Sequence, residues 1–281
     1  MTARSLSAGG VLLGAGFVSS QAPDSAVAGG NARGANAVDL QQQRAVATQV
    51  ASGLNSTISG GESNTASSTR STVAGGNLNS ASSPNATVGG GGNNTASGTS
   101  AVIAGGSTNT AAGVGSWVPG GLQATTRGII GRGAWSSGRI AANGDNQSGE
   151  HQLGRQTVDA TATRLTSDGA AAGTTNQINL PNFSSYAGLL MVTAKATGTT
   201  DAAHWVINCG AVRGNGVGTV VVQGGGAALV PALSNGTGSA WRIDVSADTT
   251  NGALGITVTG AAATTINWSA RYANVEATTA T

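Results

Sequence analysis

Ile58-Ser59-Gly60-Gly61, Val73-Ala74-Gly75-Gly76, Val88-Gly89-Gly90-Gly91, Ile103-Ala104-Gly105-Gly106 and Val118-Pro119-Gly120-Gly121 are copies of one phrase, a β-branched residue followed by a glycine pair. The β-branched residue returns at a constant step of 15 from Ile58 to Val118, without insertion. A second phrase keeps step with it: Asn64-Thr65-Ala66-Ser67, Asn79-Ser80-Ala81-Ser82, Asn94-Thr95-Ala96-Ser97 and Asn109-Thr110-Ala111-Ala112. Fixed spacing of this kind is the signature of stacked, equivalent coils. Two fixed points per period predict two short strands and two turns in each coil.

A short strand in each coil would turn its β-branched side chain inward and its small neighbours outward. The glycine pair then serves a turn that needs positive φ or close backbone approach. Asparagines one period apart are expected to stack as a ladder that satisfies turn backbone groups. The composition is also that of a disordered Gly/Ser/Thr tether, but the strict period speaks for a solenoid. One buried Ile or Val per coil offsets only a small part of the entropy lost in ordering 15 residues. A second buried surface is therefore required, and association of identical chains supplies it. The expected state is a homotrimer around an axis, with Ile58, Val73, Val88, Ile103 and Val118 forming the structural column of each chain.

The repeats resemble the β-roll heads of trimeric autotransporter adhesins. The longer run from Val38-Asp39-Leu40-Gln41 through Gln49-Val50-Ala51-Ser52-Gly53 into the repeats is similar to tailed-phage tail fibres and related virion-surface proteins. Gly144-Asp145-Asn146-Gln147, Leu165-Thr166-Ser167-Asp168-Gly169 and Asn176-Gln177 extend that resemblance over residues 37–281. The sequence shows no long heptad stalk and no membrane anchor of the adhesin kind. The resemblance implies a virion-surface protein.

The rest of the composition agrees with extended β architecture. Charged residues are 9% and aromatics 3% of the 281 residues, and there are 46 glycines, so a large conventional core is not expected. The net charge of +2 is carried by scattered arginines and the single Lys195, without a basic run, which gives nucleic-acid binding no support. Cys209 is the sole cysteine; it lies in a strand-like run and reads as a buried thiol.

Upstream of the repeats, residues 1–52 are expected to form an N-terminal virion-attachment arm. Arg4 precedes Val11-Leu12-Leu13-Gly14-Ala15-Gly16-Phe17-Val18, which sketches a signal peptide or, in the preferred reading, an apolar segment that docks onto another virion protein. The run is too short and too broken by glycine to span a membrane. Leu40, Gln43 and Ala47 sit at helical spacing and allow one or two helical turns. Downstream of the repeats at 53–121, residues 122–155 read as a transition that knits the chains together. Trp117 and Trp135, with Arg127, Arg132 and Arg139, could stack there between chains. Trp117, Trp135 and Arg139 also suit a surface recognition site for a host glycan.

From Gln156 the pattern becomes that of ordinary strands. Trp205, Ile207, Cys209 and Ala211 alternate with His204, Val206, Asn208 and Gly210; Trp241, Ile243, Val245 and Ala247 alternate likewise. Asn251-Gly252 marks a hairpin before Leu254, Ile256 and Val258. Ile266, Trp268, Ala270 and Tyr272 share a face of the last strand. Residues 156–281 are therefore expected to form an antiparallel β-sandwich or jelly-roll knob.

Catalytic groups are scarce. The histidines are His151 and His204, too far apart for a recognisable zinc cluster. His204 and Cys209 fall on opposite faces of one strand. Of the acids, only Asp145 and Glu150 form a pair in the glycine-rich transition, where a glycosidase would need two carboxylates facing one sugar. The expectation is an all-β, non-enzymatic homotrimer on a tailed-phage virion, without catalytic, metal or cofactor residues and without membrane insertion. The leading assignment is a tail fibre whose C-terminal knob binds a host-surface glycan or protein. The alternative is a capsid decoration or cement spike, and the third reading is a bacterial trimeric surface adhesin.

Overall fold

The structure, a computed structural model, describes residues 12–14, 17–19 and 21–279. The chain divides into two compact units, Met1–Gly128 with Gly133–Gly138, and Ile129–Arg132 with Arg139–Thr281. Both are β structure; the helical elements among the described residues are two 3-10 turns, Val217–Thr219 and Gly236–Ala240.

The first unit is a β-solenoid. Thr57–Ile58, Thr72–Val73, Thr87–Val88, Val102–Ile103 and Trp117–Val118 pair in parallel, each one coil above the last, so that Ile58 stacks on Val73, Val88, Ile103 and Val118 in turn. All five are buried within their own chain, as the period requires. A second parallel ladder joins Ala66, Ala81, Ala96 and Ala111. The pairing runs beyond the repeats on both sides: Ala37–Asp39 joins Thr57–Ile58, and Trp117 pairs with Gly133. The solenoid thus makes about six turns. Its interior holds per coil one β-branched side chain, one alanine, one asparagine and one further small residue, in the column Ser56, Ser71, Ala86, Ala101 and Ser116.

The asparagine ladder is the lock between coils. Asn79 Nδ2 donates to Gly75 O in its own coil and to Gly91 O in the next, both at 2.9 Å, while its Oδ1 accepts from Asn94 N at 3.0 Å. Asn64, Asn94 and Asn109 repeat the pattern. Each buried amide thus supplies a donor to the first glycine carbonyl of its own turn and a second donor to the carbonyl of the next turn, which already accepts from a backbone N–H. Gln41 closes the ladder at its start, accepting from Asn64 N at 2.8 Å and donating to Asn64 O at 2.9 Å. The second glycine of each pair is sterically required. At Gly61, Gly76, Gly91 and Gly106, φ lies between 81° and 89°, and an added Cβ would sit 2.0–2.2 Å from a carbonyl oxygen of the next coil.

Residues 40–47 contain no helix, contrary to the spacing of Leu40, Gln43 and Ala47. They belong to a wider coil in which Gln43 bridges to Glu62 and Ala51 to Ala66. A buried ion triad holds this coil: Asp39 Oδ2 accepts from Arg33 Nε at 2.9 Å and from Arg44 Nη2 at 3.1 Å, with all three side chains inaccessible to solvent. Arg44 Nε also donates to Gln49 O at 3.0 Å. These bonds take the place of the apolar filling a wider coil would otherwise need. Upstream, Phe17–Ser19 pairs in parallel with Ala37–Asp39 and antiparallel with Leu12–Gly14. The docking segment expected within residues 1–20 falls largely on residues 1–11, 15, 16 and 20, outside the described residues.

The second unit contains strands β1 (Asn146–Thr157), β2 (Thr163–Arg164), β3 (Ile178–Asn179), β4 (Ser184–Ala196), β5 (Ala202–Arg213), β6 (Val221–Gly224), β7 (Gly226–Leu229), β8 (Leu233–Asn235), β9 (Arg242–Asp248), β10 (Ala253–Thr259) and β11 (Ile266–Thr278). One antiparallel sheet runs β1-β11-β4-β5-β6, with β8 also on β5; a smaller one runs β2-β10-β9-β7, with β3 also on β10. Their inner faces share one core. Trp268 stands at its centre, 5.7 Å from Trp205 and 5.9 Å from Trp241 between ring centroids. The alternation read from the sequence holds in β5, β9 and β11. The β9–β10 hairpin is closed by Asp248, whose Oδ1 accepts from Thr250 N and Asn251 N. Strand β1, which begins within the expected 122–155 transition, is a full member of the larger sheet.

Candidate functional site

The outward column of the first solenoid ladder reads Thr57, Thr72, Thr87, Val102, Trp117. It changes from hydroxyl to apolar to aromatic along the axis. Trp117 is 43% exposed and Trp135 49%, whereas Trp205, Trp241 and Trp268 are buried. The Trp117 ring lies against the Gly133 backbone, where a Cβ would meet its Cε2 at 2.6 Å, and Trp135 packs beside Gly121. With Leu122, 39% exposed, these residues give the solenoid an apolar outer patch. Charge is almost absent around it, since Glu62 and Arg70 are the charged residues between Gly53 and Thr126. Arg139, the third residue expected there, belongs to the second unit. Among the described residues the cation–π contact found is Arg132 over Tyr186, at 5.9 Å, not an arginine on tryptophan.

The second unit places the remaining candidate groups in structural work. Asp145 accepts from the backbone N–H groups of Ile140, Ala141 and Ala142 at 2.5–2.8 Å. Burial pushes its pKa up, but these donors outweigh burial and hold the carboxyl below its usual range. Glu150 forms an exposed bidentate pair with Arg271, at 2.7 and 3.1 Å. His204 is exposed and bonds Thr193 Oγ1, while Cys209 is buried, its thiol pushed up to about 11 by burial. Among the described residues, no group of three or more His, Cys, Asp or Glu could hold a metal ion.

Sequence reading missed a buried polar cluster in this unit. Glu276 pairs with Arg132, and accepts from Gln147 Nε2 at 2.9 Å and Asn274 Nδ2 at 3.1 Å. His151 lies in the same interior, 6.2 Å from the Tyr272 ring. The signal was the parity of the strands: Asn274 and Glu276 continue the inward face of Trp268, Ala270 and Tyr272, and Gln147 and His151 share a face with Leu153. Burial, then the Arg132 charge, lower the His151 pKa from 6.5 to about 3, against the opposing pull of Glu276. The unfolded chain therefore takes up a proton below about pH 6.5 that the folded chain refuses. This contribution to stability is complete above about pH 6.5 and is lost as pH falls toward 3, by about 1.4 kcal/mol per pH unit. The urea midpoint of the second unit is expected to drop between pH 6.5 and 4, and His151→Phe to flatten that drop. An identical pH profile in the variant would refute the assignment to His151.

No family model matches the chain, and no curated protein does. Two solved structures resemble it. One is the tailspike protein gp49 of Acinetobacter baumannii bacteriophage Fri1, a capsular polysaccharide depolymerase. It has a TM-score of 0.27 and 8% identity over 84% of this chain and 49% of that one. The other is the Acinetobacter phage vB_ApiP_P1 tailspike protein, with a TM-score of 0.23 and 10% identity over 80% of this chain and 51% of that one. The chain spans about half the length of both. Both are phage tailspikes, and the first is an enzyme. The expectation of a non-enzymatic chain is corrected on this finding and withdrawn. At such TM-scores the likeness carries no activity over to this chain.

Proposed function

We propose that the chain is a phage tail protein that projects from the virion surface. The observation that carries this reading is the solenoid: uniform coils, clamped by a buried asparagine ladder, in a sequence that resembles tail-fibre repeats. Such a rod is stiff because every coil is bonded to the next through Asn64, Asn79, Asn94 and Asn109. In this proposal the rod is a spacer. The second unit is a receptor-binding sandwich knob that contacts a host-surface glycan or protein, and the N-terminal segment attaches to another virion protein.

The same proposal includes a homotrimer associated through the solenoid flanks. Each coil buries too little apolar surface to be self-sufficient, and Trp117 and Trp135 supply an outer patch for neighbouring chains. The double variant Trp117→Ser/Trp135→Ser is expected to sediment as a monomer where the natural chain sediments as a trimer. A natural chain that sediments as a monomer would end the trimer reading. Immunogold labelling of particles tests the placement. Label on the tail supports it, and label on the head replaces it with the decoration-spike assignment. Competition of the purified protein with phage adsorption tests host contact, and no competition would refute it.

A further inference from the structure

The outer edge of β5 has two partners with a gap between them. Cys209–Val212 pair with β6, and Ala202–His204 pair with β8. Among the described residues, Trp205–Asn208 have no strand partner on that edge. The chain leaves the larger sheet at Gly224, joins the smaller one as β7, with Gly226 on Val245 and Leu229 on Ile243, and returns at Leu233. The exit is built for glycine. Gly224 and Gly225 have φ of 69° and 80°, and a Cβ on them would meet Asn208 O at 2.6 Å and Val245 Cβ at 2.7 Å. The crossing segment is pinned on the far side, where Trp205 Nε1 donates to Leu229 O at 3.1 Å and Ala232 N to His204 O at 2.8 Å.

What remains is an open groove of about 390 Å³, with Val206 and Asn208 on one wall and Leu229, Val230 and Pro231 on the other. The carbonyls of His204 and Asn208 face this edge, as their contacts with Ala232 and Gly224 show. In an extended strand the N–H and C=O of Val206, midway between them, face the same way. Val206 and Val230 are 63% and 65% exposed, so apolar side chains rim an unpaired stretch of backbone.

We infer that this notch is a docking slot for a short, extended, uncharged apolar segment of a partner protein, which completes the sheet edge between β6 and β8. The backbone demands a strand, because an unpaired edge is satisfied by strand addition. The lining holds no charged residue, so a charged segment would lose hydration without gaining a partner. The volume suits a few side chains of one short segment rather than a folded domain. The inference does not depend on the virion assignment.

The test uses the full chain and an acetylated, amidated Val-Thr-Val-Thr-Val peptide, with hydrogen exchange followed over residues 203–210. Exchange in this stretch is expected to slow on addition of the peptide, and a copy N-methylated at alternate residues is expected to give no slowing. Val230→Asp, at an exposed rim position, should weaken peptide affinity by about tenfold or more without lowering the melting temperature. Equal protection by the methylated peptide, or no protection at millimolar peptide, would overturn the slot. So would protection that rises with protein concentration alone, which would assign the groove to a second copy.

Discussion

Replacing Gly106 with alanine is expected to unfold the solenoid, while the same change at the adjacent Gly105 leaves its melting temperature unchanged. Gly106 has φ of 89°, and an added Cβ would sit 2.2 Å from Gly121 O. That oxygen accepts from Ser107 N and from Asn109 Nδ2, both at 3.0 Å, so pushing it aside breaks the ladder and the backbone bond together. The left-handed conformation adds about 1–2 kcal/mol for a residue with a Cβ. With the lost bonds, the total cost is on the order of 4 kcal/mol or more, at the extreme of single substitutions. Gly105 has open space around its missing Cβ and a φ outside the left-handed region. Neighbouring coils stabilise one another, so the damage spreads along the rod. Circular dichroism melts of both variants decide the matter; equal shifts would show that the glycine turns are not where the coils meet.

The second large effect is expected in the other unit. Glu276→Gln leaves the Arg132 guanidinium with no solvent access and no counter-charge, which costs about 3–5 kcal/mol. Replacing both partners, Arg132→Met with Glu276→Leu, should recover part of that loss, because the desolvation of the charge disappears with the charge while Gln147 Nε2 and Asn274 Nδ2 lose their shared acceptor. Urea unfolding followed by tryptophan fluorescence reads the core, where Trp205, Trp241 and Trp268 are buried together. If the single variant is as stable as the natural chain, the pair is not the buried ion pair the geometry describes.

Sequence alone was enough for whatever depends on repetition or alternation. The 15-residue step placed Ile58, Val73, Val88, Ile103 and Val118 inside and stacked the asparagines, because equivalent coils need one residue type at each equivalent point. Alternation likewise separated Trp205 from Val206 and Trp268 from Ser269. What broke the period was harder to read: the coil holding Asp39 is longer than its successors, so its polar run suggested helical turns where the structure has a further turn of solenoid.

Only the tertiary structure decided which polar groups are buried together. Arg132 and Glu276 are 144 positions apart, and nothing local to either announces the other. Arg33, Asp39 and Arg44 lie close in sequence, yet their meeting depends on the fold of the coil around them. The notch beside Val206 exists because one segment, 221–235, divides its hydrogen bonds between two sheets. Periodicity reports the face a residue takes within its own element. It carries no information about the element packed opposite, and that decides whether an inward charge is paired and whether a strand edge is left open.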